Sequence, residues 1–245
     1  MSLRFTLATA SRILRQLRQD PRTIALIVVV PSALLALLHY VMESSAETFN
    51  QVGLIMLGVF PFVSMFLVTS VAMLRERTSG SLERILTTPA HKVDLIAGYS
   101  LAFTLCAVVQ SLVACGVAYQ WLGLETEGTV WLVVVIAAAN SVLGLALGLL
   151  VSAFAHTEFQ AVQFMPAIVL PQVLLCGLIW PRDEMAQWLQ SISDVMPLTY
   201  SVDALIEVGA HPELTDAIWR DIAIIAAVAA ASLLLGATTL RRRSS

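Results

Sequence analysis

The sequence predicts an all-α integral membrane protein with six transmembrane helices, and three observations support this fold class. Hydrophobic residues make up 58% of the 245 residues and charged residues only 13%, against about 25% charged in a soluble globular domain. The apolar residues form six blocks, each long enough to cross a hydrocarbon layer of about 30 Å. Positive charge is concentrated in alternate connections between the blocks.

The six apolar blocks contain no Asp, Glu, Lys or Arg. Such a residue costs about 2.5–3.5 kcal/mol at the bilayer centre, so its absence is what a membrane span requires. The first block has an alternative interpretation as the core of a signal peptide, but its length and the five later blocks favour an uncleaved helix. The predicted spans are 24–41, 52–74, 95–122, 130–155, 161–180 and 222–240.

The distribution of Lys and Arg predicts the orientation. Twelve of the fourteen cations lie before the first span, between the second and third spans, or after the last span. Because cytoplasmic loops carry the excess of positive charge, both termini are predicted to be cytoplasmic. Only Arg182 and Arg220 remain on the external side, and the other external loops are acidic.

The first twenty residues predict an amphipathic helix that lies in the lipid headgroup layer, with its arginines beside its apolar stripe. Asp20-Pro21 is expected to end this helix before the first span. A merely solvated basic tail is the alternative. The predicted apolar stripe consists of Leu3, Leu7, Ala10, Leu14 and Leu17.

Two further features concern packing. The external segment 181–219 is too apolar for a disordered loop, so it predicts short amphipathic or re-entrant helices that cap the outer face, with Pro197 opening the second.

The fourth span carries Gly144-x-x-x-Gly148, extended by Asn140 and Ser152. A stripe of small residues is typical of close helix packing in membranes.

No sequence motif for catalysis, metal binding or nucleotide binding is found. A phosphate-binding loop needs a glycine run before Lys and Ser or Thr, and the single Lys, Lys92, follows Ala90-His91. The three cysteines lie in apolar runs without C-x-x-C spacing, which supports neither a disulfide nor a metal site. The spans hold no paired ionisable residues such as ion-coupled transporters use. A transporter built this way would take its energy from a separate ATPase.

The connection 75–91 predicts a short cytoplasmic docking helix. Gly80 permits a turn, Ser81 is a good N-cap, and Pro89 ends the element. Between them, three apolar residues at helical spacing form one face that suits a groove in a partner protein. A solvated loop with ordinary capping is the alternative. The apolar face consists of Leu82, Ile85 and Leu86.

The same connection resembles the signature cytoplasmic loop of type-2 ABC permeases, with Ser81 in place of the usual Thr. A second similarity, to the family's region before the last span, begins at Cys176-Gly177 and ends at Pro197-Leu198-Thr199-Tyr200. Gly98-Tyr99 departs from the frequent Gly-Lys, and the subgroup looks nearest to the daunorubicin-exporter and nodulation-factor-exporter permeases. The signature is matched by Arg75, Glu76, Gly80, Leu82, Glu83, Leu86, Thr88 and Pro89.

The resemblance implies a bacterial plasma-membrane transporter of two membrane subunits and two ATPase subunits, with ATP and Mg²⁺ on the ATPase and no cofactor on this chain. The exported substrate would be an amphiphile such as a drug, polyketide, lipid or glycan. The implied ATPase-docking residues are Glu76, Gly80, Ser81, Leu82, Glu83, Ile85, Leu86 and Pro89. The implied substrate-pathway residues are Phe62, Met65, Phe66 and Thr69 on the second span, and Phe164, Met165, Val169 and Gln172 on the fifth. The implied external-cap residues are Pro181, Pro197, Leu198, Thr199 and Tyr200.

Two rival functions remain open at this point: an intramembrane enzyme and a membrane assembly subunit without transport activity. Intramembrane Ser/His or Asp pairs would favour the enzyme. The four histidines lie at or beyond the ends of the apolar runs and far apart in sequence, which favours the transporter.

Overall fold

The computed structural model describes residues 3–79 and 92–239, and all regular secondary structure in these ranges is helical. The predicted docking residues from Gly80 to Pro89 lie outside the described residues. The described helices are α1 (Leu3–Gln19), α2 (Pro21–Val41), α3 (Ala46–Thr78), α4 (Lys92–Gln120), α5 (Val130–Val151), α6 (Glu158–Leu175), α7 (Gln187–Ser193), α8 (Pro197–Ala210) and α9 (Asp216–Thr239), with a 3₁₀ turn at Arg182–Glu184.

Six of the described helices, α2–α6 and α9, are long and apolar enough to cross a membrane, which confirms the predicted number of spans. Since six crossings return the chain to its starting side, α1 and the end of α9 share one end of the bundle, here called the termini end. The helix ends differ from the predicted boundaries. Helix α3 continues beyond the apolar run at both sides, and α6 stops at Leu175 rather than 180, shortly before Gly177 turns the backbone with φ 92°.

Helix α1 has the predicted extent, and Asp20 then caps α2 by accepting hydrogen bonds from the Thr23 amide (3.2 Å) and hydroxyl (2.6 Å). The predicted apolar stripe is only partly the buried one, because Leu3 and Leu7 are exposed whereas Thr6, Ala10 and Ile13 are buried. Exposed Leu3 and Leu7 are where a helix in the headgroup layer would place them, toward lipid, and that placement stays a prediction. Helix α1 packs closely on Gly98 of α4, where an added Cβ would lie 2.6 Å from the Thr9 Cβ, and Leu14 and Leu17 of the predicted stripe pack against the core.

The core of the bundle is the packed pair α3 and α5. Gly144 and Gly148 of α5 face the backbone of α3, and a Cβ on either glycine would overlap the carbonyl oxygen of Phe62 or Phe66. Thr69 donates a hydrogen bond to the Leu145 carbonyl at 3.2 Å, across the same contact. The small-residue stripe therefore does what its spacing predicts: it lets two spans approach to backbone contact.

Helix α8 enters the bundle from the end opposite the termini. The Ser201 hydroxyl donates to the Asn140 Oδ1 (2.8 Å), and the Asn140 Nδ2 donates to the Gly58 carbonyl (2.9 Å). Asn140 lies ten residues into α5, about 15 Å along its axis. The other end of α8 meets the α4–α5 connection, where the Gly128 amide donates to the Val208 carbonyl (3.0 Å). The predicted re-entrant helix opened by Pro197 is thus present, with its polar groups satisfied inside the protein.

Candidate functional site

The last turn of α3, directly before the predicted docking segment, is joined to α1 and α4. The Arg12 guanidinium pairs with the Glu76 carboxylate at 2.6 Å and donates a second hydrogen bond to the Tyr99 hydroxyl at 3.2 Å. Only 12% of the Glu76 side chain is exposed. Burial of the Arg12 guanidinium lowers its pKa, but its contacts with Glu76 and Tyr99 outweigh this and raise it, so Arg12 stays charged.

The same turn is also joined to α6. Arg75 forms a bidentate pair with Glu158 at the start of α6, with distances of 2.8 and 2.9 Å, and Arg77 donates to the Ser152 carbonyl after α5. Both partners of the Arg75–Glu158 pair are more than half exposed, so the pair adds little stability. Its planar fork nevertheless gives the contact between α3 and α6 a defined geometry.

These contacts change the interpretation of the signature residues Arg75 and Glu76. Both belong to helix α3 rather than to the predicted loop, which was expected to begin at residue 75. Their side chains bind other parts of the same chain. An ATPase contact of Glu76 stays a prediction, whereas its contact with Arg12 holds the end of α3 in place immediately before the docking segment.

The two ion pairs predict different mutational costs. Glu76→Gln should lower the free energy of unfolding by about 1–3 kcal/mol, because the half-buried Arg12 loses its charged partner. Glu158→Gln, which breaks the exposed pair, should cost less than about 1 kcal/mol. Thermal denaturation of the two variants in the same detergent measures the difference, and Arg12→Gln combined with Glu76→Gln tests the coupling. Equal melting temperatures for the two single variants would contradict this account.

The four pathway candidates on α3 lie inside the single subunit. Phe62, Met65 and Phe66 are fully buried, and the backbone of Phe62 and Phe66 contacts α5. Thr69 is also fully buried, and its single hydroxyl proton is shared between the Met65 carbonyl at 2.7 Å and the Leu145 carbonyl at 3.2 Å. These four side chains therefore fill the α3–α5 contact in this structure, and their predicted role along a substrate path stays a prediction.

The four candidates on α6 are placed differently. Val169 and Gln172 are buried, and the Gln172 Oε1 accepts a hydrogen bond from the Leu198 amide of α8 at 3.4 Å. Phe164 and Met165 are only partly buried. Helices α3 and α6 are in contact, and the role of their candidate residues along one substrate path stays a prediction.

The sequence did not reveal that two of the six spans, α2 and α6, are more exposed than the others. Within the described residues α2 and α6 are the least buried of the six spans, while α3 and α5 are the most buried. Exposed apolar side chains on α2 include Leu26, Val29 and Leu37, and those on α6 include Leu170 and Leu174. The sequence does not show this difference because all six spans are apolar. The lipid-facing and protein-facing sides of a span use the same residue types.

The predicted external cap is held together by Arg182, one of the two cations that the charge distribution predicts to be external. Arg182 donates to Asp203 of α8 at 2.7 Å and also to Asp194 at the end of α7. The distribution of Lys and Arg in the sequence drew attention to Arg182 but did not identify its partners, Asp194 and Asp203. These lie 12 and 21 residues later in the chain.

The predicted cap residues surround this ion-pair cluster. Pro181 precedes the 3₁₀ turn and Pro197 occupies the first turn of α8. Leu198 and Thr199 are buried, and the Thr199 hydroxyl donates to the Ser193 carbonyl at 2.9 Å. The Tyr200 hydroxyl donates to the Asp194 carbonyl at 2.6 Å. The matched region before the last span therefore folds as one hydrogen-bonded unit.

The six candidate spans, with α8 packed among them, are the architecture of a multi-pass membrane protein. Residues 4–208 match the ABC-2 type transporter family. The chain belongs to this family and is a multi-pass membrane protein. The narrower resemblance to daunorubicin-exporter and nodulation-factor-exporter permeases stays a prediction.

Individual relatives are distant in sequence. The chain is 24% identical over 153 residues to "ABC transporter G family member 20" of Dictyostelium discoideum, covering 62% of this chain and 21% of that protein. It is 21% identical over 167 residues to "Probable multidrug ABC transporter permease YbhR" of Escherichia coli, covering 68% and 45%. It is 26% identical over 168 residues to "Linearmycin resistance permease protein LnrN" of Bacillus subtilis, covering 69% and 43%. The chain thus spans less than half the length of these curated relatives.

Proposed function

We propose that this chain is the membrane-spanning permease subunit of an ATP-driven ABC exporter. The observation that carries the proposal is the family match over residues 4–208, which includes the docking signature and the region before the last span. The structure adds a mechanical reason. The helix that leads into the docking segment is tied to α1, α4 and α6 at its last turn, so a force applied there reaches several elements at once.

The energy source is a separate ATPase that holds ATP and Mg²⁺. This chain carries no phosphate-binding loop in its sequence, and the relatives' names describe transporters and permeases. Both observations support a transport subunit that relies on the separate ATPase for hydrolysis. When the two ATPase subunits bind ATP and close against each other, they would move the docking segments. Helix α3 would then transmit that motion into the membrane.

The transporter contains a second membrane subunit, either another copy of this chain or a paralogue. The least buried spans, α2 and α6, supply apolar surface for that contact. The exported substrate is an amphiphile, in keeping with two relatives whose names refer to multidrug transport and to linearmycin resistance. Both termini face the cytoplasm, as the Lys and Arg distribution indicates.

Reconstitution tests the proposed function. The purified chain in lipid should hydrolyse no ATP, whereas co-expression with its ATPase should give a complex with substrate-stimulated hydrolysis and export from cells. The control replaces the catalytic carboxylate of the ATPase, which should stop export without dissociating the complex. Sustained hydrolysis by this chain alone, after removal of contaminating ATPases, would contradict the proposal.

Thiol labelling tests the orientation. Glu47 and Glu125 are exposed at the end opposite the termini, and Ser79 is exposed at the termini end. In a background without Cys106, Cys115 and Cys176, cysteines at Glu47 and Glu125 should react with an impermeant reagent on intact cells. A cysteine at Ser79 should react only after lysis. The reverse labelling pattern would invert the proposed topology.

A further inference from the structure

An apolar groove with a basic rim runs between α1, α2 and α4 on the outside of the bundle. One part, of about 460 Å³, lies between α1 and Leu101 and Leu105 of α4. A second part, of about 240 Å³, continues along α4 to Val109. The two parts adjoin each other, because Leu14, Arg18 and Leu105 line both, and together they are called the groove.

The rim carries positive charge that the described part of the chain does not neutralise. Of the α1 arginines, Arg12 is paired with Glu76. Arg15 and Arg18 both line the groove and have no ion pair among the described residues. Among the described residues, Arg15 bonds only to the hydroxyl and carbonyl of Ser11, at 3.2 and 3.3 Å. Two guanidinium groups therefore remain available for an anion.

The floor of the groove suits a hydrocarbon chain. Leu101, Leu105 and Val109 are each about half exposed, at 46%, 52% and 45%. They extend about 12 Å along α4 at about 1.5 Å per residue. The groove begins at the amphipathic helix α1. It then runs along the outside of α4 as far as Val109, about halfway along that helix. A charged headgroup at Arg15 and Arg18 thus aligns with an acyl chain along α4.

We infer that this groove binds an anionic membrane phospholipid, with its phosphate at Arg15 and Arg18 and one acyl chain against Leu101, Leu105 and Val109. Charge complementarity selects the occupant, because a zwitterionic lipid or a bare apolar surface would leave the two guanidinium groups without a net counter-charge. Guanidinium binds phosphate through two parallel hydrogen bonds, and the apolar floor offers a contact that a lipid can use and a purely soluble anion cannot. The inference does not depend on the transport activity.

Lipid titration of the purified full chain tests this site. Native mass spectrometry in a neutral detergent should show dioleoyl phosphatidylglycerol bound at about tenfold lower concentration than dioleoyl phosphatidylcholine. Arg15→Gln combined with Arg18→Gln should remove that preference. The matched control is Arg4→Gln combined with Arg22→Gln, which removes the same charge from exposed positions that do not line the groove and should leave the preference intact.

A second pair of variants tests the groove itself. Leu105→Trp should fill the floor and weaken phosphatidylglycerol binding several-fold, while Leu112→Trp, at an exposed leucine farther along α4, should not. Equal loss in both arginine pairs would mean diffuse attraction by basic residues and would overturn the site. So would equal binding of the two lipids, competition by free glycerol phosphate at similar concentration, or unchanged binding in Leu105→Trp. A Cys106 crosslink between two copies would show that a second subunit covers the groove, which would also overturn the inference.

Discussion

Gly148→Leu is expected to separate the second span from the fourth and to abolish the native fold. A Cβ at position 148 overlaps the Phe66 carbonyl oxygen and the Thr69 hydroxyl, so the helices must part or bend to admit a leucine. Overpacking costs about 1–3 kcal/mol and occasionally more, and here the obstacle is backbone rather than a flexible side chain. The hydrogen bond from Thr69 to the Leu145 carbonyl should be lost as well.

Heating followed by size-exclusion chromatography in detergent measures this effect. The matched control is Gly116→Leu in α4, where an added Cβ meets nothing within 4 Å and the leucine even improves helix propensity by about 1 kcal/mol. Gly148→Ala should fall between the two. If Gly148→Leu elutes and melts like Gly116→Leu, the backbone contact between α3 and α5 is not what holds these spans together.

Leu82→Asp is expected to uncouple the transporter by releasing the ATPase. Leu82 belongs to the predicted apolar docking face, which lies outside the described residues but follows the anchored end of α3. An unpaired carboxylate buried in a partner's groove costs several kcal/mol, and about 1.4 kcal/mol already weakens binding tenfold. Co-purification of the ATPase and export from the same cells should therefore both fall by at least tenfold.

Two controls make this result specific. Thr87→Asp places the same charge away from the predicted apolar face and should retain most of the ATPase. The membrane level of each variant should equal that of the parent, because the change lies outside the spans. Normal export by both Leu82→Asp and Ile85→Asp would exclude this segment as the docking element, although membership of the family would stand on the match over residues 4–208.

Several features could be predicted from the sequence because their causes are local. Each apolar run needs only its own residues to be stable in a bilayer, since a helix satisfies its backbone within the segment. The number of spans follows from that rule. The extent of α1 and the start of α8 at Pro197 follow from local stop and start signals. The Gly144–Gly148 spacing predicted close packing, although it did not identify α3 as the partner helix.

The tertiary structure alone decided which distant groups meet. Arg12 and Glu76 are 64 residues apart and Asn140 and Ser201 are 61 apart, and no local pattern specifies such pairs. The packing of α1 on α4 depends on Gly98, which permits close approach, as well as on Ala10, Leu14 and Leu17 of the apolar stripe, which are buried or pack against the core. In a membrane, apolar residues suit both lipid and protein. Composition therefore determines that a helix spans the bilayer, whereas steric fit and a few buried polar partners determine its neighbours.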